Sequence, residues 1–79
     1  MRVIVRFSIN NDLNGQLTNT LRNHLDQFGI SLDPDNTATY RTDGMNENQL
    51  AAAMEDFWEV FANHQGQGTL DHFWMYADQ

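Results

Sequence analysis

The sequence predicts an α+β fold in which two helices cover one face of a mainly antiparallel sheet. Three observations carry this reading. Runs at residues 2–9 and 70–77 alternate side-chain character with period two, as strands do. Runs at 13–28 and 46–63 repeat their apolar residues every three or four positions, as amphipathic helices do. The two periods take turns along the chain, separated by short segments rich in Gly, Asn and Asp.

In the first strand Val3, Val5, Phe7 and Ile9 point one way, and Arg2, Ile4, Arg6 and Ser8 the other. The β-branched residues suit a pleated surface. Asn10-Asn11-Asp12 ends the strand as a turn cluster. Leu13, Leu17, Leu21 and Leu25, followed by Phe28, then place one apolar stripe along a helix. Gly15 weakens its first turn by about 1 kcal/mol relative to Ala, and Gly29 is placed as its C-terminal cap. Asp33-Pro34-Asp35-Asn36 is turn chemistry, since Pro presets φ while Asp and Asn bond back to the backbone. Thr37 to Thr42 reads as a strand from its Thr and Tyr content. Ile30 to Leu32 reads either as a short strand or as extended chain, so the second strand is short or absent. Asp43-Gly44 turns the chain.

Asn46 and Gln49 have the spacing of a capping box ahead of the second helix. Leu50, Ala53, Met54, Phe57, Trp58, Val60 and Phe61 fall within about 160° of a helical wheel. Glu55, Asp56, Glu59 and Asn63 lie outside that arc. The helix ends near His64, because Gln65-Gly66-Gln67-Gly68 is loop material. In the closing strand Leu70, His72, Trp74 and Tyr76 share one face, and Asp71, Phe73, Met75 and Ala77 the other. The resulting order, β-α-β-β-α-β, is the split pattern of the ferredoxin-like sandwich, a single domain over residues 1–79.

A chain of 79 residues hides only about 60% of the surface that its unfolded form exposes, so its core is marginal. It has no cysteine to staple it, and small unstapled domains often gain stability by association. Eleven acids stand against four arginines and no lysine, a formal net charge of −7. That balance disfavours nucleic acid, which is held by clustered Lys and Arg. Three readings of the acidity stay open: solubility, a salty habitat, or mimicry of nucleic acid by an inhibitor. Arg2 and Arg6 flank Val3-Ile4-Val5, so no apolar signal region forms there. No run approaches the ~20 apolar residues of a membrane span. The expectation is a cytoplasmic protein without membrane contact.

The first strand must turn Val3, Val5, Phe7 and Ile9 toward the helices. In the last strand Phe73, Met75 and Ala77 are the natural inward set. Ile4, Arg6, His72, Trp74 and Tyr76 then share the uncovered face, which is too apolar to stay wet without a reason. A homodimer packed through this face needs aromatic anchors and tolerates a rim arginine. Single-stranded nucleic acid would stack its bases on the same rings, although Arg6 and Arg41 offer little charge. The third possibility is that Trp74 and Tyr76 belong to the core.

Catalytic, metal and cofactor sites are not expected. His24, His64 and His72 lack the i, i+4 spacing of a metal pair. Asp71 and His72 are neighbours on a strand and should face opposite ways. Asp12, Asp33, Asp35 and Asp43 sit in turns, and the run from Asp33 lacks the glycine and distal glutamate of an EF-hand loop. Ser8 and Ser31 are in no nucleophile elbow. Gly66-Gln67-Gly68 opens no helix and is too short to cradle a phosphate. The lead expectation is a small acidic interaction module that homo-oligomerises through its open face and presents its acidic helical surface to another protein.

Thr39-Tyr40-Arg41-Thr42, with a helix and closing strand after it and a strand and helix before it, resembles the small ferredoxin-fold nucleases of the VapD type and their CRISPR-adaptation relatives. The likeness covers most of the chain and lies in element order. It implies a dimer and a metal-dependent endoribonuclease that uses an aspartate at the end of the first strand. The matching stretch here, Phe7-Ser8-Ile9-Asn10, has no aspartate, and Asp12 is displaced into the turn.

Overall fold

The computed structural model describes residues 1–78. Strand β1 runs over Arg2–Asn10, helix α1 over Gln16–Gln27, β2 over Ser31–Leu32, β3 over Thr39–Thr42, helix α2 over Glu47–Asn63 and β4 over Thr69–Asp78. The four strands form one sheet in the order β2-β3-β1-β4, with each neighbouring pair antiparallel. The fold is therefore α+β with two helices and a four-stranded antiparallel sheet. No helix among the described residues is long and apolar enough to cross a membrane.

Burial follows the alternation of β1. Val3, Val5 and Phe7 are covered, while Arg2 just before them and Arg6 between Val5 and Phe7 are exposed. Tyr40 of β3 pairs with Val5, turns to the same side and stacks on Phe7 at 5.3 Å. Leu17, Leu21 and Leu25 of α1 and Ala53, Phe57 and Val60 of α2 close over them. Phe57 meets Phe7 edge-on at 5.3 Å, the favoured approach of a positive ring edge to a negative ring face. Trp58 lies at the rim of the apolar arc and remains 38% exposed.

The start of α1 departs from the leucine stripe. Leu13 belongs to a 3-10 turn and is 72% exposed, and the helix begins only at Gln16. Asn11, Asn14 and Gly15 all have φ near +60° to +70°, a left-handed geometry that no helix can continue through. Asp12 sets the true start by reaching over this turn. Its carboxylate accepts from the backbone N–H of Leu17 and of Thr18, each at 2.8 Å, and from the Thr18 hydroxyl.

Helix α2 begins as its capping box requires. The Asn46 side chain accepts from Gln49 N–H at 2.8 Å, and the Gln49 side chain accepts from Asn46 N–H at 2.9 Å. Between the helices, β2 is a strand of two residues. Strand β3 begins at Thr39 and not at Thr37, because Ala38 turns at a φ of 57°. Asp33 holds the intervening turn together, accepting from Asp35 N–H at 2.9 Å and from the Asn36 amide at 3.1 Å.

One irregularity bears on function. Ser8 pairs with His72 and Ile9 pairs with Leu70, so Asp71 is an unpaired bulge residue. The bulge returns Leu70 to the helix side opposite Ile9, which corrects its expected place beside His72, Trp74 and Tyr76. It also sends Asp71 to the uncovered side, where its carboxylate accepts from Ser8. Simple alternation fails here because two residues of β4 oppose one of β1.

Candidate functional site

The uncovered face of the sheet is built from alternate residues of three strands. Register places Ile4 opposite Tyr76, Arg6 opposite Trp74 and Ser8 opposite His72. On the other side of β1 it places Ile4 opposite Arg41 and Arg6 opposite Thr39. Ile4, Arg6, His72, Trp74 and Tyr76 thus lie together on the side away from the helices. Trp74 is 48% exposed and Tyr76 41%, so neither ring is core. The two rings stack nearly parallel, 9° apart in plane and 6.2 Å between centroids. Residues i and i+2 of a strand share a face, which is why they meet.

Cations lie over this pair. The Arg6 guanidinium is 5.8 Å from the Trp74 ring centroid, and that of Arg2 is 5.8 Å from Tyr76. Arg6 is also fixed sideways by donating to the Thr39 hydroxyl at 3.1 Å. Arg2 donates to Asp78 at 3.1 Å, and the Tyr76 hydroxyl donates to the same oxygen at 2.7 Å. The Tyr76 hydroxyl, with Arg2 beside it, holds the Asp78 carboxyl below the usual range against the opposing pull of desolvation. The residues that sequence reading missed are Arg2, Thr39 and Asp78. Arg2 was recoverable, since it shares parity with Ile4 and Arg6.

Asp71 and His72 depart from expectation, since the bulge puts both on this face with Ser8. The Ser8 hydroxyl donates to Asp71 at 2.9 Å and lies 2.8 Å from His72 Nδ1, which is 3.6 Å from the same carboxylate. Asn10 donates to the other Asp71 oxygen at 3.4 Å. The Ser8 bond, then that from His72, holds the Asp71 carboxyl below its ordinary value. The proton order is the reverse of an activated serine. The Ser8 hydroxyl gives its hydrogen bond to the Asp71 carboxylate, and so does not aim its proton at His72 Nδ1 as a serine activated by an imidazole base would. The group is a polar tie between β1 and the bulge.

Asp12, the acid nearest the end of β1, is engaged at both oxygens as the cap of α1. Partial burial pulls its carboxyl up, but the bonds from Thr18 and Leu17 outweigh this and hold it below the normal range. Among the described residues, no group of three or more His, Asp or Glu is placed to hold a metal ion. The recess beside Asp12, lined by Leu13, Gln16 and Gly66 among others, encloses about 210 Å³. That under the Leu32–Ala38 turn encloses about 290 Å³. Both fall short of the ~300–1,000 Å³ typical of small-molecule pockets, so the extended surfaces are the better candidates for recognition.

The helical layer carries the opposite character. Asp26 on α1 and Glu47, Glu55, Asp56 and Glu59 on α2 stand against a single arginine, Arg22. His24 of α1 lies 2.9 Å from Asp56 of α2 and ties the helices together. The other three arginines stand on the sheet side. Comparisons with known proteins add no identity: no family model matches the chain, and no curated protein or solved structure matches it either.

Proposed function

We propose that this chain is a small interaction module that homo-oligomerises through its open sheet face and offers its acidic helical surface to another protein. The observation that carries this reading is the bare, stacked pair Trp74 and Tyr76 on the side without helices. Burying two such rings in a centre rimmed by Arg2 and Arg6 matches the apolar core and polar rim of protein interfaces. The frame we infer is the ferredoxin-like β-α-β-β-α-β sandwich. It is supported by β3 lying between β1 and β2, by β4 on the far side of β1, and by the antiparallel sense of every pairing. In that frame the helices occupy one face and leave the other free to associate. The helical acids, at five to one over arginine, suit a partner with a basic surface.

Sedimentation over a concentration series tests the first half of the proposal. The expected result is an oligomer at ~100 μM that dissociates on dilution, and Trp74→Glu should shift it to monomer by placing a charge where the ring is desolvated. A wild-type chain that stays monomeric throughout the series would overturn the proposal.

A further inference from the structure

The sheet order leaves β4 at an edge, although it is ten residues long and the longest strand of the four. Its outward N–H and C=O groups have no strand beside them. Proteins guard such an edge with Pro, with charge or with short strands. Between His72 and Ala77 this strand has none of these guards. The bulge at Asp71 and the charge of Asp78 close off its two ends.

The side chains along this edge are bare on both faces. Trp74 and Tyr76 are 48% and 41% exposed on the open side, and Met75 is 39% exposed on the helix side. Beside Met75 on that side, Trp58 of α2 overhangs Phe73 at 4.8 Å and is itself 38% exposed. Packing through the open face covers only the first pair. A strand added to the edge lies alongside the side chains of both faces.

We propose that β4 pairs antiparallel with β4 of a second copy, about a two-fold axis at Met75, joining the two four-stranded sheets into one continuous sheet. This is a different self-association contact from the face packing above, does not rest on it, and is told apart from it by the variants below. The bulge decides the register. The regular run from His72 to Asp78 is symmetric only about Met75, so Met75 faces the partner's Met75. Trp74 then faces the partner's Tyr76, an aromatic cross-strand pair on the open side. Phe73, with Trp58 over it, faces the partner's Ala77, so the largest group meets the smallest. His72 faces the partner's Asp78, a basic group against a carboxylate at each end of the ladder, and no two like charges meet. A two-fold contact must be self-complementary in this way.

The chain has no cysteine, so Met75→Cys introduces a unique thiol. Directly opposed residues of an antiparallel ladder have Cα atoms about 4.5–5.5 Å apart, within the roughly 4.4–6.8 Å that a disulfide spans. The expected result is near-complete disulfide-linked dimer under mild oxidation. Met75→Lys places two like charges at the axis and should leave a folded monomer by circular dichroism and sedimentation. Ile4→Glu, central on the open face and one strand in from the edge, should leave edge pairing intact. Loss of the dimer in Met75→Lys with its survival in Ile4→Glu supports edge pairing and removes face packing. The converse pattern, with no Met75→Cys cross-link, overturns edge pairing and leaves face packing standing. A monomeric wild type overturns both.

Discussion

The two edges of this sheet are opposites. At one edge β2 has only two residues, and it is bound into its surroundings. Ser31 donates to Asp26 of α1 at 2.6 Å, Ile30 just before it is fully buried, and Asp33 just after it donates its N–H to the Thr39 carbonyl at 2.8 Å. Carboxylates and the Arg41 guanidinium crowd the turn beyond. At the other edge β4 has ten residues, is met by α2 at Phe73, and exposes Trp, Met and Tyr in succession beyond it. The contrast teaches that a sheet's edges need separate accounts. The first is blunted by brevity, burial and charge, all devices against unwanted pairing. The second lacks them between His72 and Ala77.

If the β2 side carries the fold and the β4 side carries association, substitutions on the two sides should separate cleanly. Ile30→Ala, at a fully buried site, should destabilise by about 2–5 kcal/mol in urea unfolding; a loss below about 1 kcal/mol would mean that the β2 side is not part of the common core. Gly68→Ala, at the entrance to β4, would bring a Cβ within 2.6 Å of Ile9 Cγ2 and 3.3 Å of the Asn10 carbonyl. Overpacking of this kind costs about 1–3 kcal/mol, and a neutral result would show that the entrance to β4 yields easily. Asp12→Ala removes the cap of α1 and should lower the unfolding free energy by about 1 kcal/mol, with amide exchange quickening first at Leu17 and Thr18.

Acid should act through the β2 side as well. The N–H of Asp35 and the amide of Asn36, with Arg41 nearby, hold the Asp33 carboxyl below its ordinary value. Its contribution to stability is present above the unfolded value of about 3.9. It is lost as the pH falls through the lower, folded value, because protonation then favours the unfolded chain. Asp33→Asn should therefore be less stable at neutral pH and show a shallower acid decline, and a decline as steep as in the wild type would assign the effect to other carboxylates. The smallest expected effect is that of Met75→Lys on the stability of the monomer, within about 0.5 kcal/mol. A larger loss in dilute solution would mean that Met75 supports the fold itself and would blur the division between the two sides.

Much of this architecture could be read from local pattern. The alternation of β1 told which residues lie under the helices, because a pleat with period two leaves no choice once one side holds Val3, Val5 and Phe7. Asn46 and Gln49 announced the start of α2 because a capping box closes within four residues. The end of α1 before Gly29 was equally local, since Gly29 adopts the positive φ of 83° that follows a helix. The start of α1 was misplaced because its cap acts over a gap: Asp12 reaches five and six residues ahead, past a left-handed turn. The bulge escaped because it is a property of two strands together and leaves no mark in β4 alone, apart from the spacing of three between Leu70 and Phe73. The exposed face of the candidate site, from Ile4 to Tyr76, was legible by parity. The bare edge was not, since strand order decides which strand lies outermost and no single strand encodes it.

The bulge also makes Asp71 a spare link. Because Ile9 already pairs with Leu70 and Ser8 with His72, excising residue 71 would leave every neighbour on its present side of the sheet. A shortened chain should therefore still fold, with a straighter last strand and without the Ser8 tie. What it would lose is a stop: the outer border would become one uninterrupted ruler on which several alignments are equally good. If the proposed edge pairing holds, the chain that keeps residue 71 should pair in one register, whereas the shortened one should creep between registers and grow into larger, polydisperse species, which light scattering would reveal.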